Sequence, residues 1–376
     1  MPRATDLPVE ILETIFSHLE THELVKCRRV CKRWKEIVTV RDRLWPTEVI
    51  ITQESSGLCS VNGLQCNTFD DMAEVCRAMS KLGSKTTSLV VEIPVPKVTM
   101  TFFVFRCFLP LEHIDIDAHN LSYEDIGCLL DHESLRTLRS FKVDARVWSG
   151  DVTKFLNVLN FVQAQELHKL DISGFGSEAL ASCLISISRN LSSVLLGILD
   201  LSQITISHNH LSYLNVYLEG LLLQLACPNL TKLNLFIEHH IMARGNNNFP
   251  LKVELLVLEY HDHYLEDIKE IVSFYNLGSS VKCLMVHQTN MPYEVREEIV
   301  ALFPHLQTCR GLPYKVAHRY VRMVVDNCPD LKVFYCADPG MVTEKSKKLL
   351  EKKGITLTLN DSTNICAFCH HVHTWY

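Results

Sequence analysis

Residues 227–235 read CPNLTKLNL, and residues 328–336 read CPDLKVFYC. In both stretches a Cys-Pro turn leads into an apolar pattern of the form Leu-x-x-Leu-x-Leu, in which other apolar residues can replace leucine. Alternation of apolar and other residues over so short a run indicates a β-strand with one buried face. Each stretch is therefore predicted to enter a strand whose apolar side chains face a core.

The same strand pattern recurs along most of the chain. In the C-terminal half it returns about every 25 residues, and amphipathic helical patterns fill several of the intervals. Repetition at this period is typical of a leucine-rich repeat, in which parallel strands line one face and helices the other. A doubly wound α/β domain is the alternative, and it predicts a ligand crevice where the strand order reverses. The patterns begin at Leu111, Leu138, Leu167, Leu211, Leu230, Val253, Val281, Leu306 and Leu331.

The N-terminal residues have a helical pattern instead. Apolar residues recur at helical spacing over residues 7–19, and Pro8 suits the first turn of a helix. Two further helices are expected over residues 22–27 and 28–38. A unit of about 45 residues buries too little surface to be stable alone. We therefore expect three N-terminal helices that gain stability by docking.

Residues 7–37, LPVEILETIFSHLETHELVKCRRVCKRWKEI, together with Leu44 and Trp45, resemble an F-box, the motif that binds a Skp-type adaptor. The match includes the Leu-Pro start, the Phe-Ser-x-Leu step and the Val-Cys-Lys-Arg-Trp signature. The Cys-Pro-x-Leu turns are similar to those of the cysteine-containing repeats common in F-box proteins. Adaptor-facing apolar surface is implied by this resemblance at Leu7, Pro8, Ile11, Leu12 and Leu24.

The resemblance implies a substrate-recognition subunit of a Skp–cullin–F-box ubiquitin ligase. Such a subunit has no catalytic activity of its own and holds a protein target near the cullin and RING subunits. The expected fold is α/β, with a three-helix F-box (1–46), a connecting segment packed on the first repeats (47–84), a leucine-rich-repeat solenoid with a curved parallel sheet inside and helices outside (85–360), and a tail (361–376). A leucine-rich-repeat scaffold without a ligase role and a nucleotide-dependent enzyme are the alternatives.

Composition narrows the class of protein. Hydrophobic residues make up 47% of the chain and charged residues 21%, which excludes wholesale disorder. The net charge of -6 does not favour binding to the negatively charged backbone of a nucleic acid. No apolar run approaches the roughly 20 residues that cross a bilayer, and the N-terminal residues do not read as a secretory signal. We expect a cytoplasmic or nuclear protein with no membrane or nucleic-acid partner and with reduced cysteines.

A target-binding surface is expected on the strand face that points away from the core. Alternation along each strand places aspartates on this face in the early repeats and aromatic residues in the middle ones. Exposed aromatics beside charges are typical of binding hot spots, so the pattern predicts a target with a basic segment next to apolar anchors. The candidate residues are Asp115, Asp117, Asp144, Asp171, Tyr213, Tyr217 and Phe236, with Trp375 in the tail.

The tail also has the spacing of a zinc site. Two thiolates and two imidazoles suffice for a tetrahedral ion, and Cys366, Cys369, His371 and His373 supply those groups. All four lie within eight residues, with no second element to fold around the ion. We therefore expect a flexible or docking tail and no metal, with a structural zinc site as the alternative.

A glycine-rich turn is the one pattern that resembles a cofactor site. The sequence GFGSEA begins at Gly174, ends at Ala179 and lies between a predicted strand and a predicted helix, as a dinucleotide fingerprint does. Its place in the middle of the repeats favours an ordinary repeat turn. No nucleophile lies in a recognisable catalytic context, so we expect no cofactor, no catalytic residue and no enzyme activity.

Overall fold

The computed structural model consists of two compact units, Met1–Leu191 and Ser192–Tyr376. Within them the structure describes residues 7–41, 44–45, 47–53, 59–66, 72, 75–76, 86–93, 111–124, 126, 136–150, 165–175, 178–199, 203–218, 222–237, 251–260, 265–287, 293–310, 318–336, 340 and 342–359. The expected mixed α/β class, with N-terminal helices followed by mainly parallel strands, is confirmed.

Three short helices open the first unit: α1 (Val9–Phe16), α2 (Thr21–Cys27) and α3 (Lys32–Val40). A capping box at Glu20 and Glu23 starts α2, which satisfies backbone N–H groups that a helix start leaves unpaired. The Cys31 Sγ accepts a hydrogen bond from the Trp34 backbone N–H, 3.5 Å away, at the start of α3. This cap places the start of α3 at Lys32, whereas the apolar spacing predicted it at residue 28.

The helices enclose a small core of their own. The Phe16 and Trp34 rings meet edge to face with centroids 5.1 Å apart, and the buried Trp45 Nε1 donates to the Val38 carbonyl at 2.8 Å. Burying an indole N–H with a partner avoids the cost of an unsatisfied donor. The buried members of this core are Leu12, Phe16, Leu24, Ile37, Val38, Leu44 and Trp45.

The described part of the first unit continues with seven strands: β1 (Glu48–Gln53), β2 (Cys59–Val61), β3 (Leu64–Cys66), β4 (Ser88–Ile93), β5 (His113–Ser122), β6 (Ser140–Ser149) and β7 (Lys169–Phe175). Their order in the sheet is β7-β6-β5-β4-β1-β2-β3. All neighbours from β7 to β1 are parallel, and β2 and β3 are antiparallel at the edge. Helix α4 (Glu178–Ile187) comes after β7.

The β2–β3 hairpin turns on Asn62 and Gly63, whose φ angles are 47° and 76°. A two-residue turn with both φ angles positive matches strand twist, and Asn-Gly is the pair that adopts it most readily. The Asn62 side chain also accepts a hydrogen bond from the Ile50 N–H at 2.6 Å. The turn therefore ties the hairpin to β1.

The second unit contains ten strands in its described part: β8 (Ser193–Leu199), β9 (Gln203–Ser207), β10 (Tyr213–Leu218), β11 (Leu222–Ala226), β12 (Lys232–Ile237), β13 (Leu255–Tyr260), β14 (Cys283–His287), β15 (Thr308–Arg310), β16 (Val333–Cys336) and β17 (Thr356–Leu359). Its main sheet runs β8-β10-β12-β13-β14-β15-β16-β17 with every pair parallel, and β9 pairs with β11 separately. Among these described strands, the order in the sheet follows the order in the chain without a reversal. The doubly wound alternative requires a reversal and therefore does not fit this order.

Helices occupy the later connections: α5 (Leu265–Phe274) and α6 (Leu277–Ser280) between β13 and β14, then α7 (Tyr293–Ala301), α8 (His318–Asn327) and α9 (Glu344–Lys352) in the next three. On α8 the buried stripe has helical spacing and consists of Tyr320, Val321, Val324 and Val325. None of the helices in the described part of the chain is long and apolar enough to span a membrane.

Each of the two Cys-Pro turns is hydrogen-bonded to an earlier segment of the chain. In each turn the leucine N–H donates to the cysteine carbonyl three residues earlier at 3.1 Å, and proline occupies the position where its fixed φ suits a turn. The buried Cys227 thiol donates to the Ile206 carbonyl at 3.5 Å, and the Cys328 thiol to the Phe303 carbonyl at 3.6 Å. Burial raises the pKa of both thiols to about 11, so they remain protonated donors.

Candidate functional site

Three neighbouring strands bring the four predicted aspartates together on one face of the first unit. The β5–β6–β7 register aligns Asp115, Lys142 and Asp171 in one row and Asp117, Asp144 and Ser173 in the next. The intervening apolar residues of these strands, among them Ile114, Phe141 and Ile172, are buried. We call the six residues of the two rows the aspartate face.

A lysine lies among these carboxylates. Lys142 Nζ is 2.9 Å from Asp115 Oδ2. Burial opposes the charged form of Lys142, but its hydrogen bond to Asp115 and the charges of the aspartates outweigh burial and raise its pKa. Burial raises the pKa of Asp144, and a hydrogen bond with Ser173 acts in the opposite direction.

Asp171 is the most perturbed carboxyl of the aspartate face. It is only 7% exposed. Burial raises its pKa to about 6, although the charges of Lys142 and Lys169 act in the opposite direction. The folded chain therefore holds a partly desolvated carboxylate at neutral pH, which costs stability and is a common property of binding sites.

We expect Asp171→Asn to stabilise the chain at pH 8 by about 1–3 kcal/mol, because the pKa rise of Asp171 to about 6 is a cost of the charged form. An acid whose folded pKa exceeds its unfolded value loses stability as pH rises between the two values, here from about 4 to about 6. The gain should thus vanish near pH 4. Urea unfolding between pH 4 and pH 8 measures it, with the exposed Asp117→Asn as control. A lower stability of the Asp171→Asn variant than of the wild-type chain at pH 8 contradicts the assignment.

The predicted aromatic residues lie together in the second unit. Tyr217 and Phe236 are neighbours across the β10–β12 ladder, and their rings stack with centroids 4.1 Å apart and planes 12° apart. The Tyr213 hydroxyl accepts a hydrogen bond from Asn234 Nδ2 at 3.4 Å. All three aromatic side chains are half-buried on the strand face away from the core.

Sequence reasoning missed a second ring contact in this unit. The Arg310 guanidinium lies over the Tyr335 ring, with its Cζ 4.1 Å from the centroid. Arg310 also lines an open pocket of about 300 Å³ with Lys232 and Lys282. The apolar pattern beginning at Leu306 could not predict the contact between Arg310 and Tyr335, because the two residues belong to strands about 25 residues apart in sequence.

The five predicted adaptor-facing residues divide into buried and accessible ones. Leu12 and Leu24 are each 1% exposed and belong to the helical core, and Leu7 is half-buried against it. Pro8 is exposed, and Ile11 is 47% exposed. Ile15, one helical turn further along α1, is 44% exposed and was not among the expected residues. Adaptor contact by the five residues stays a prediction.

The tail candidates lie outside the described residues. Trp375, Cys366, Cys369, His371 and His373 all belong to the segment after residue 359, which the structure does not describe. In the part that it does describe, no group of three or more His, Cys, Asp or Glu residues could hold a metal ion.

The glycine-rich turn is described only at its two ends. Gly174, near the end of β7, has φ 114°, a conformation that favours glycine. Ala179 lies in α4, and residues 176–177 between them are outside the described part. A nucleotide site at this turn stays an alternative from sequence alone.

Comparison with known proteins identifies the N-terminal helices. Residues 4–47 match the F-box-like family model, so the chain carries an F-box-like domain there and the N-terminal resemblance is confirmed to that extent. No curated protein sequence matches the chain.

Two solved structures are similar over most of the chain. One is the yeast complex of Rad7 and Elc1, with 16% identity over 78% of this chain and 72% of that chain and a TM-score of 0.40. The other is the TLR13–ssRNA13 complex, with 12% identity, a TM-score of 0.44 and coverage of 73% of this chain but 45% of that chain.

Proposed function

We propose that the chain is a substrate-recognition subunit of a ubiquitin ligase of the Skp–cullin–F-box type. The observation that supports this proposal is the F-box-like domain at residues 4–47. In the proposal the chain performs no chemistry. It binds a Skp-type adaptor, and through it cullin and RING subunits, and raises the effective concentration of a target near the ligase-bound conjugating enzyme. Such a role suits a cytoplasmic or nuclear protein.

Helix α1 offers the adaptor an apolar surface. Ile11 and Ile15 are one turn apart on the same side of the helix. Both are about half exposed, whereas Leu12 and Phe16 of the same helix are buried in the core. Exposed Pro8 precedes them. In the proposal the adaptor covers these three residues, which we call the α1 surface, while Leu12 and Leu24 support it from the core.

The parallel strands and their connecting helices are proposed to be leucine-rich repeats that present the target-binding surface. The strand order of the second unit, its regular helical connections and its two Cys-Pro turns support this assignment. The aspartate face offers a basic segment of the target several carboxylates around the paired lysine. The stacked Tyr217 and Phe236 rings offer an apolar anchor in the other unit.

Size-exclusion chromatography with a purified Skp-type adaptor tests the proposal. The full-length chain should co-elute with the adaptor as a one-to-one complex, and a chain that begins at residue 47 should not. If the folded full-length chain elutes separately from the adaptor, the receptor proposal is wrong. Cullin association, together with target accumulation when the chain is depleted, then separates a ligase receptor from an adaptor-bound scaffold.

A further inference from the structure

Two cysteines lie directly opposite each other in the β2–β3 hairpin. The antiparallel register pairs Cys59 with Cys66, and both are in the thiol form in this structure. Residues paired in an antiparallel ladder project to the same face of the sheet, with Cα atoms about 4.5–5.5 Å apart. A disulfide spans Cα atoms about 4.4–6.8 Å apart. The hairpin therefore holds two thiols within reach of a disulfide bond.

This placement is specific to the hairpin among the described strand pairs. Cys283 on β14 and Cys309 on β15 also belong to neighbouring strands, but the ladder pairs Cys283 with Thr308 and Cys309 with Leu284. Successive side chains along a strand point to opposite faces, so these two thiols lie on different sides of the sheet. Of the described ladders, the β2–β3 ladder is the one that sets two cysteines opposite each other.

The register of the hairpin is held by Asn62 at its turn. The Asn62 N–H donates to the Ile50 carbonyl at 2.8 Å, and Asn62 Oδ1 accepts from the Ile50 N–H at 2.6 Å. Asn62 Nδ2 donates to the Glu48 carbonyl at 3.2 Å. The hydroxyls of Thr52 and Ser60 are 2.8 Å apart across the β1–β2 ladder. The two thiols are thus aligned by contacts that do not involve either sulfur.

The two thiols differ in their access to solvent. Cys59 is half-buried, whereas Cys66 is 2% exposed and its thiol donates to the Leu64 carbonyl at 3.5 Å. An oxidant from solvent therefore reaches Cys59 more readily. An accessible thiol beside a second thiol that can resolve its oxidation product is the arrangement of redox-sensing cysteines. Disulfides inside cells are usually of this transient kind.

We propose that Cys59 and Cys66, which we call the redox pair, form a reversible disulfide on reaction with hydrogen peroxide. The Cys59 sulfur attacks one peroxide oxygen and breaks the O–O bond, which gives a sulfenic acid and one water. The Cys66 sulfur then displaces the sulfenic hydroxyl, which leaves with the Cys66 proton as a second water. Two electrons thus pass from the two sulfurs to the peroxide. A thiol such as glutathione reverses the reaction by disulfide exchange.

The redox pair goes beyond the proposed receptor function and does not depend on it. Peptide mapping of the full-length chain after peroxide treatment and thiol alkylation tests it. Cleavage after Glu54 and Glu74 releases residues 55–74, which contain Cys59 and Cys66 and no other cysteine. After peroxide this peptide should lose both alkyl labels and two hydrogen atoms, and dithiothreitol should restore them. The half-buried Cys283, with no cysteine opposite it, is the internal control and should keep its label at the same peroxide dose.

Two outcomes of this mapping overturn the proposal. In the first, residues 55–74 keep both labels under conditions that oxidise Cys283. In the second, Cys59 is oxidised or joined to glutathione while Cys66 keeps its label, which would mean that Cys66 does not resolve the oxidised Cys59.

A one-residue shift of the thiols tests the register. Cys59→Ser combined with Ser60→Cys keeps the number of thiols but moves one of them to the other face, opposite Gln65. This variant should form no disulfide. Adding Gln65→Cys and Cys66→Ser moves the second thiol into the same row, which should restore the disulfide. A disulfide in the first variant, or none in the second, overturns the proposal.

Hydrogen exchange shows whether the bond forms in the native hairpin. Strand β3 is at the edge of its sheet and pairs with β2. A cross-link between these strands should slow amide exchange over residues 59–66 about tenfold or more, and dithiothreitol should reverse the effect. Cys66→Ser is the control, in which peroxide should leave exchange unchanged. If the oxidised wild-type chain carries the disulfide but exchanges as fast as the reduced chain, the bond forms only in an opened hairpin and the proposal is wrong.

Discussion

Replacing both Ile11 and Ile15 by aspartate should abolish complex formation with a Skp-type adaptor, lowering affinity at least about a hundredfold. Burial of a large aliphatic side chain contributes about 1.5–3 kcal/mol, and an interface that covers the α1 surface gains part of that amount at each position. The variant loses this gain and must also desolvate two unpaired carboxylates. Since about 1.4 kcal/mol changes affinity tenfold, the combined loss exceeds two orders of magnitude.

The double variant tests adaptor binding more specifically than deletion of the helices does, because the variant chain should remain folded. Both side chains lie outside the core of Leu12, Phe16 and Trp45, and exposed substitutions usually change stability by no more than about 0.5 kcal/mol. Titration calorimetry measures the affinity, and circular dichroism checks the helices. Val40→Asp is the matched control, since Val40 is 69% exposed at the end of α3. Wild-type affinity in a folded double variant would show that the adaptor binds elsewhere.

The α1 surface shows how far sequence reasoning extends into the F-box-like domain. Apolar spacing predicted a helix and identified its apolar residues, but it could not decide between Ile11 and the adjacent Leu12 as the surface residue. Neighbouring side chains on a helix point about 100° apart, and the direction of the core depends on how α2 and α3 pack. That packing buries Leu12 and leaves Ile11 and Ile15 outside.

The strands were more predictable than the contacts across them. Alternation alone correctly assigned Asp115, Asp144 and Asp171 to one face, because successive side chains on a strand point to opposite sides of the sheet. The stack of Arg310 on Tyr335 depends on the register between β15 and β16, which are neighbours in the sheet but distant in sequence. No local sequence pattern encodes that register. Strands β9 and β11 were also missed, since short apolar runs fit helix and strand equally well.

The largest stability effect is expected for Phe334→Ala in the second unit. Phe334 is fully buried on β16, between β15 and β17. Truncating a buried phenylalanine removes its transfer free energy and leaves a cavity, which together cost about 3–5 kcal/mol. That amount is a large part of the roughly 5–15 kcal/mol by which a typical domain is stable. The adjacent Tyr335 lies on the opposite side of the strand beneath Arg310, so Tyr335→Ala should cost less, about 1–2 kcal/mol.

Native-state hydrogen exchange of the peptides that cover β15, β16 and β17 distinguishes these outcomes within one chain, without assuming that both units unfold together. Phe334→Ala should lower protection in all three strands, because β16 loses its core support and both β15 and β17 share ladder hydrogen bonds with β16. Tyr335→Ala should lower protection much less, because the Tyr335 ring contacts Arg310 on the side of the strand opposite to Phe334. Equal losses of protection in the two variants would mean that Phe334 and Tyr335 do not lie on opposite faces of β16, one inside the core and one outside it.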